Sequence, residues 1–313
     1  MSQTVRQSVG FIEPKPRIKR RRTAFGMFRN VKAVVGIAII LLFVLVALFV
    51  PVLAPYSPTA QVFPLGLAPD AAHWLGTNSM GQDLFSQLLW GTRTSLLVAF
   101  SVGIIATTVS LFVGITAGYL GGWVDRALTF VTNVFLVIPS LPLVIVLSSY
   151  IHFQGEWPVI GVISLTSWAW GARSLRAQAL TLRERDYVLH AQLSGQPWWS
   201  VVLGEILPNM ASLVLSGFLF TMIHALLTEA SLDFLGLGNI NVVSWGTMLY
   251  WAQNNEALVN GMWWWFIPPG LAIAMFGGAL SLINFSLDEF TNPRLRKQKK
   301  VKIRVASSHR KVA

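Results

Sequence analysis

The sequence predicts an all-α membrane protein with six transmembrane helices. Of its 313 residues, 54% are hydrophobic and only 12% are charged, whereas soluble domains carry about 25% charged residues. Six apolar stretches free of charge approach or exceed the ~20 helical residues that a bilayer core requires. The basic residues lie between these stretches in alternate segments, with clusters in both tails. These three observations define the fold class.

The predicted spans are the longest charge-free apolar segments of the chain. They cover residues 33–54, 94–123, 127–151, 157–172, 210–228 and 263–287. The first is too long for the apolar core of a signal peptide, which has about 7–15 residues, so we expect it to remain as a span. The fourth is short, and its ends are the least defined.

The distribution of Lys and Arg predicts the orientation through the positive-inside rule. If both termini are cytoplasmic, every one of the 24 basic residues except Arg93 lies on the inner side. The inner segments are then 1–32, 124–126, 173–209 and 288–313. The basic tails flank apolar spans and are expected to lie against membrane lipid, and this placement argues against nucleic-acid binding. We therefore expect a multi-pass protein of the cell (inner or plasma) membrane.

This orientation predicts five regions along the chain. They are a basic cytoplasmic tail (1–32), a first transmembrane helix (33–54), an extracytoplasmic segment (55–93), a transmembrane core of five helices (94–287) and a second basic cytoplasmic tail (288–313). The core includes a polar cytoplasmic loop at 173–209, between helices 4 and 5. The extracytoplasmic segment combines four prolines with apolar side chains, so part of it is expected to pack on the outer membrane face.

Several chemistries have no counterpart in the sequence. The chain lacks a G-x-x-x-x-G-K-[ST] phosphate loop, an H-E-x-x-H zinc helix and a G-x-S-x-G nucleophile turn. It has no cysteine, and its five histidines are scattered. Ionisable residues within the spans are almost limited to His224, with Glu229 at a span end, so no proton relay is evident. An enzyme is disfavoured, while a secondary transporter or channel remains an alternative.

The polar loop contains a helix-compatible stretch that begins at Asp186. Ala191 and Gly195 are four residues apart and would share one helix face, where small side chains allow close approach of a partner. Gly195 could also end the helix, and Pro197 supports a stop there. An ordinary loop helix with a glycine cap is the simpler interpretation of this spacing.

Four blocks of residues resemble one known family. They are His73-Trp74-Leu75-Gly76-Thr77 with Gly81-Gln82-Asp83; Asp186 to Asn209, including Ala191, Gly195 and Leu207-Pro208-Asn209; Glu229 to Gly238 with Ser244-Trp245-Gly246; and Asp288 with Asn292-Pro293-Arg294-Leu295-Arg296. Their order and content are similar to the C-type permease subunit of binding-protein-dependent ABC importers, in the oligopeptide, dipeptide and nickel branch. The match extends from just after the first span almost to the C-terminus.

The resemblance implies partners and a mechanism. A second permease subunit would complete the pathway, two ATP-binding subunits would bind beneath, and an extracytoplasmic binding protein would deliver the substrate. ATP and Mg would be held by the ATPases, with no cofactor or catalytic residue in this chain. The loop at 173–209 would carry a coupling helix that transmits ATP-driven movement and gives alternating access.

The resemblance also assigns residues. Those expected to couple to the ATPase are Arg185, Asp186, Tyr187, Ala191, Gln192 and Gly195. Those expected to be structural are Leu207, Pro208, Asn209, Glu229, Gly236 and Gly238. The chain departs from the family at Leu189-His190, where a Glu-Ala pair is expected, so the polar contacts would shift to neighbouring residues. Segments 55–92 and 236–262 are the candidates for contact with the binding protein.

Two questions stay open in the sequence. Peptides are the favoured substrate, with oligosaccharides or nickel as alternatives. Six aromatic residues at the outer side could form an interfacial belt or could stack on sugar rings: Trp245, Tyr250, Trp251, Trp263, Trp264 and Trp265. Prolines 139, 142, 268 and 269 predict interrupted helices, either as packing kinks or as bends that line the pathway.

Overall fold

The computed structural model describes residues 30–150 and 155–291, and these form a helical bundle. Its helices, in chain order, are α1 (Val31–Leu53), α2 (Leu84–Leu120), α3 (Gly122–Val137), α4 (Ser140–Tyr150), α5 (Trp157–Arg183), α6 (Asp186–Leu193), α7 (Trp198–Val201), a π-helical segment (Val202–Ile206), α8 (Leu207–Phe234), α9 (Trp245–Asn254) and α10 (Trp263–Thr291). Within the described ranges there is no β-strand, only an isolated bridge between Thr77 and Asp83.

Four helical segments are long and apolar enough to cross a membrane. They are Val31–Leu53, Leu84–Leu120, Trp198–Phe234 and Trp263–Glu289. Helices α3 and α4 together would make a fifth span, although they are bent by 86° at the break between them. Helix α5 is long enough but more polar, because Ser, Thr and Arg residues alternate with its apolar positions. The structure thus gives four or five candidate spans on length and hydropathy.

The helices do not end where their apolar stretches end. Helix α2 begins at Leu84, not at residue 94, because the Asp83 side chain caps it: Asp83 Oδ2 accepts a hydrogen bond from the Ser86 backbone at 2.8 Å. Helix α5 continues to Arg183, so the first part of the predicted loop at 173–209 is helical. The length of an apolar stretch reflects contact with lipid, whereas the ends of a helix are set by capping residues.

The predicted span at 127–151 is interrupted, as Pro139 in its sequence predicts. The chain breaks between α3 and α4 at Ile138 and Pro139. A proline has no backbone N–H, and it pushes the preceding residue out of helical conformation. Ile138 accordingly adopts an extended conformation, with φ −74° and ψ 124°. In α10, by contrast, Pro268 and Pro269 lie inside a continuous helix.

Helices α2, α5 and α8 form the centre of the bundle. Helix α2 packs closely along α5, and at Gly114 an added Cβ would lie 2.6 Å from the Ala172 carbonyl oxygen. Small residues permit such approach between membrane helices. Helix α8 packs on both α2 and α5, and α1 lies against α10 with most of its apolar side chains exposed.

Polar contacts join the start of α1 to the end of α10. Lys32 Nζ lies 2.5 Å from Glu289 Oε1, and Asn30 Nδ2 donates to Glu289 Oε2 at 2.8 Å. Of the predicted tails at 1–32 and 288–313, residues 1–29 and 292–313 lie outside the described residues, and the motif residues at 292–296 are among them.

The connection from α1 to α2 is compact although it has no helix. Thr77 Oγ1 donates to the Pro64 carbonyl oxygen at 2.6 Å and accepts from the Leu67 backbone at 2.9 Å. The buried His73 ring pairs with Asp83, with 2.9 Å between Nδ1 and Oδ1. This connection is therefore fixed to the first turn of α2.

Candidate functional site

Helix α6 projects from one end of the bundle and ends at a glycine, as the sequence predicts. The Gly195 backbone donates to the Gln192 carbonyl at 3.0 Å, and the Gln196 backbone donates to the Ala191 carbonyl at 3.2 Å. Gly195 has φ +77°. This pair of bonds, with a left-handed glycine, is a Schellman cap, and it turns the chain towards Pro197 and α7.

The two faces of α6 have different environments. Val188 and Ala191 are buried in a cluster with residues of α2, α5 and α8. Ala191 therefore packs within this chain, and its role in coupling to a partner stays a prediction. The other predicted coupling residues are exposed: Arg185, Asp186, Tyr187, Gln192 and Gly195.

The exposed surface around α6 and α7 is partly apolar. Leu189, which stands where the family has a glutamate, is 44% exposed, and Leu193 is 85% exposed. Trp198, Trp199 and Leu203 are also exposed. We call the exposed side chains of residues 185–203 the α6 surface. Exposed apolar groups of this size mark a surface that contacts a partner or lipid, and Trp198, Trp199 and Leu203 begin the candidate span Trp198–Phe234.

The chain leaves the α6 surface through a π-helical segment. Pro208 is the second residue of α8, which directly follows the π-helical segment, so the helical run Trp198–Phe234 continues through it. The Asn209 side chain donates to the Glu205 carbonyl oxygen at 2.6 Å, and Leu207 packs beside the α6 cluster. The structural role expected of these three residues stays a prediction.

A buried polar network joins α2, α8 and α9 at the opposite end of the bundle. Glu229 is 2% exposed and Asp233 is 5% exposed. Ser95 Oγ donates to Glu229 Oε1 at 3.1 Å, and the Ser244 hydroxyl donates to Asp233. The Trp245 backbone donates to Ser95 Oγ at 3.3 Å. Buried carboxyl groups need such partners, and the bond from Ser95 joins Glu229 to α2.

Gly236 and Gly238 shape the end of α8. Gly236 has φ +72°, and the Leu237 backbone donates to the Leu232 carbonyl at 2.9 Å, which forms a second Schellman cap. A Cβ at Gly238 would collide with the Asp233 side chain. Both glycines are therefore required by the geometry of the network.

A cavity of about 660 Å³ lies between these two ends. It is bounded by α2, the α3–α4 break, α5 and α8, and its lining includes Ile138, Pro139 and Ser140. The proline break thus bends the chain around the cavity. His224 on α8 and Ser167 on α5 are in contact on its wall, with 3.4 Å between Nδ1 and Oγ.

The tryptophans of the α9 end do not form a single surface. Trp245 and Trp265 are fully buried in the core, so they are not available for stacking on a sugar. Trp263 is half exposed. The prediction of an aromatic belt therefore does not extend to the two buried rings.

Sequence reasoning missed the partners of Glu229 and the shape of the cavity. Asp233 and Ser244 belong to the motif blocks that carry the resemblance, and this membership is the sequence feature that could have pointed to them. No sequence feature pointed to Ser95, because serine is common in membrane helices. His224 was visible as an ionisable residue inside a span, a place where such residues are expensive, but its partner on α5 was not.

Comparison with known proteins identifies the class of molecule that this bundle represents. Residues 110–297 match the family described as the binding-protein-dependent transport system inner membrane component. Residues 21–69 match the N-terminal transmembrane domain of oligopeptide transport permease C. The chain belongs to this family of ABC importer permeases, and the resemblance seen in its motifs is confirmed.

Individual relatives align over most of the chain. It is 32% identical, over 272 residues, to the oligopeptide transport system permease protein OppC of Mycobacterium bovis and to that of Mycobacterium tuberculosis, with 86% of this chain and 92% of each relative covered. It is 31% identical to OppC of Bacillus subtilis over 274 residues, which cover 86% of this chain and 88% of the relative. These relatives are transport permeases.

Proposed function

We propose that this chain is one permease subunit of an ATP-driven peptide importer and forms half of the translocation pathway. The observation that carries the proposal is the α6 surface, which is exposed on one side and packed into the bundle on the other. A helix with this placement can receive a push from a separate subunit. The chain has no phosphate loop of its own, so the energy would come from that partner.

The proposed topology has six spans and two cytoplasmic termini. It counts α3 and α4 as one broken span and the first part of α5 as another. The low hydropathy of α5 fits this arrangement, because its polar residues Ser167 and Ser174 face the cavity. Polar residues in a membrane helix are tolerated where they line a cavity.

The proposed mechanism is alternating access. Two ATPases that hold ATP and Mg would bind at the α6 surface, and their closure would move α6. Val188 and Ala191 pack against residues of α2, α5 and α8, and these helices bound the cavity. The cavity would then open alternately to each side of the membrane. A second permease subunit would supply the other half.

An extracytoplasmic binding protein would deliver the substrate at the α9 end. The connection between α1 and α2 and the α8–α9 turn are both at this end, and His73, Asp83 and Ser244 hold them in fixed positions. Peptides are favoured as the substrate because the relatives carry oligopeptide names. Oligosaccharides and nickel stay as alternatives, although burial of Trp245 and Trp265 removes one basis for sugar stacking.

The decisive experiment is uptake by the complete importer in proteoliposomes. A labelled tripeptide should accumulate only when the binding protein and the ATPases are present with ATP and Mg. Uptake that follows an ion gradient without ATP would instead indicate a secondary transporter. Accumulation of oligosaccharide or nickel in place of the peptide would overturn the substrate and leave the permease role intact.

A further inference from the structure

The cavity wall is rich in hydroxyl groups. Its lining contains Thr107, Ser110, Ser140, Thr166, Ser167, Ser174, Ser216 and Thr221. Several of these hydroxyls donate to carbonyls of the helices: Ser110 to Trp168 at 2.6 Å, Ser167 to Ile163 at 2.7 Å and Thr221 to Gly217 at 2.9 Å. A hydroxyl has one donor and two acceptor lone pairs. These oxygens therefore retain acceptor capacity for a molecule in the cavity.

His224 is the polar centre of this wall. The lining residues include only one other side chain with a titratable group, Asp288. An imidazole in a membrane span is costly when it faces lipid, whereas in a cavity it can meet water or substrate. The side chain of His224 is exposed within this chain, and it lies one helical turn from Thr221 on the same wall.

We propose that Ser167 and His224 contact the backbone of the transported peptide and set its position in this subunit's half of the passage. This inference rests on the proposed function. An extended peptide alternates N–H donors with C=O acceptors. The Ser167 hydroxyl donates to the Ile163 carbonyl, so Nδ1–H of a neutral His224 would donate to Ser167 Oγ. His224 Nε2 is then left to accept a peptide N–H, and the neighbouring hydroxyl oxygens accept as well. Such contacts recognise what all peptides share, so they suit a pathway that accepts many sequences.

The first test uses the fact that the chain has no cysteine. Ser167→Cys and Thr221→Cys would each introduce a single thiol into this subunit of the assembled importer. A water-soluble methanethiosulfonate should label both, and a transported tripeptide should slow the labelling when turnover is supported by ATP. Thr108→Cys is the matched control: Thr108 donates to Ile104 at 2.7 Å, as Thr221 does to Gly217, but it does not line the cavity. Labelling that is equal at all three sites, or unaffected by the peptide at 167 and 221, would overturn the proposal.

The second test compares His224→Leu with His224→Gln in the same importer. Glutamine keeps a donor and an acceptor and should support uptake within about 2-fold of the wild type. Leucine should raise the KM for the peptide by about 10-fold, which corresponds to the loss of one or two hydrogen bonds. Thr108→Val should change neither KM nor the maximum rate.

The outcomes separate the inference from the function on which it rests. No peptide uptake by the wild-type importer would contradict the proposed function. Uptake by the wild type with an unchanged KM in His224→Leu would contradict only the peptide contact. If His224→Leu fails to assemble, the cysteine labelling and the His224→Gln variant decide the question.

Discussion

Gln192 of α6 donates a hydrogen bond to the hydroxyl of Tyr119 in α2, with 3.1 Å between Nε2 and the oxygen. Tyr119 is buried and belongs to the cluster that also holds Val188 and Ala191. An exposed helix is thus joined by one directed bond, and by apolar packing, to a helix that bounds the cavity. The bond gives a direct physical link from the α6 surface to the membrane bundle.

The first prediction concerns this bond. Tyr119→Phe and Gln192→Ala should each lower the free energy of unfolding by about 1 kcal/mol, as expected for one partly buried hydrogen bond. Their combination should be less destabilising than the sum, because the second change has no bond left to remove. Chemical unfolding of the purified importer measures the cycle. Strictly additive effects would show that the bond contributes nothing.

The second prediction concerns Gly195. Gly195→Ala should destabilise the α6 cap by about 1 kcal/mol, since a Cβ disfavours the left-handed conformation. Space is not the obstacle, because no atom lies within 4 Å of an added Cβ. Gly195→Arg adds a large charged side chain to the α6 surface. It should uncouple ATP hydrolysis from uptake while leaving membrane insertion intact.

The ratio of peptide taken up to ATP hydrolysed measures this coupling. Gly278→Ala in α10 is a control for the loss of a glycine, because Gly278 does not line the cavity, has an ordinary helical conformation, and an added Cβ there meets no atom within 4 Å. A normal ratio in Gly195→Arg would contradict the role of the α6 surface.

The third prediction concerns the network at the opposite end. Glu229→Ala should destabilise the importer by about 1–3 kcal/mol, the usual effect of removing one member of a buried hydrogen-bond network. Glu229→Gln keeps an acceptor for Ser95 and should destabilise the importer less than Glu229→Ala does. The exposed Glu184→Ala is the matched control for loss of a carboxylate and should leave the melting temperature unchanged. Equal melting temperatures for Glu229→Ala and Glu184→Ala would exclude a structural role for Glu229.

The fourth prediction concerns the contact of α2 with α5. Gly114→Ala should destabilise the bundle by about 1–3 kcal/mol through overpacking, because the added Cβ would lie 2.6 Å from the Ala172 carbonyl oxygen. Gly161→Ala in α5 meets no atom within 4 Å and should be neutral or stabilising, since alanine favours helix. Thermal unfolding of the two variants measures the difference. A melting temperature of Gly114→Ala above that of Gly161→Ala would show that α2 and α5 separate easily.

The sequence alone determined the class of molecule, because hydrophobic length, basic-residue placement and motif blocks are local properties of the chain. The same local reasoning found the end of α6 at Gly195, since a glycine cap acts on the neighbouring backbone, whereas the helix expected to start near Pro208 already runs from Trp198. Local reasoning could not predict the 86° bend between α3 and α4. A proline in a membrane segment can also lie within a continuous helix, as Pro268 and Pro269 do in α10.

Only the tertiary structure decided which face of each helix meets which neighbour. Ala191 looked like a surface residue by its spacing from Gly195, yet the fold buries it against the bundle. His224 and Ser167 are 57 residues apart in the chain, and no periodicity brings them together. Helical spacing fixes which side chains share a face, whereas the packing of distant helices fixes what that face contacts, and the cavity arises from this packing.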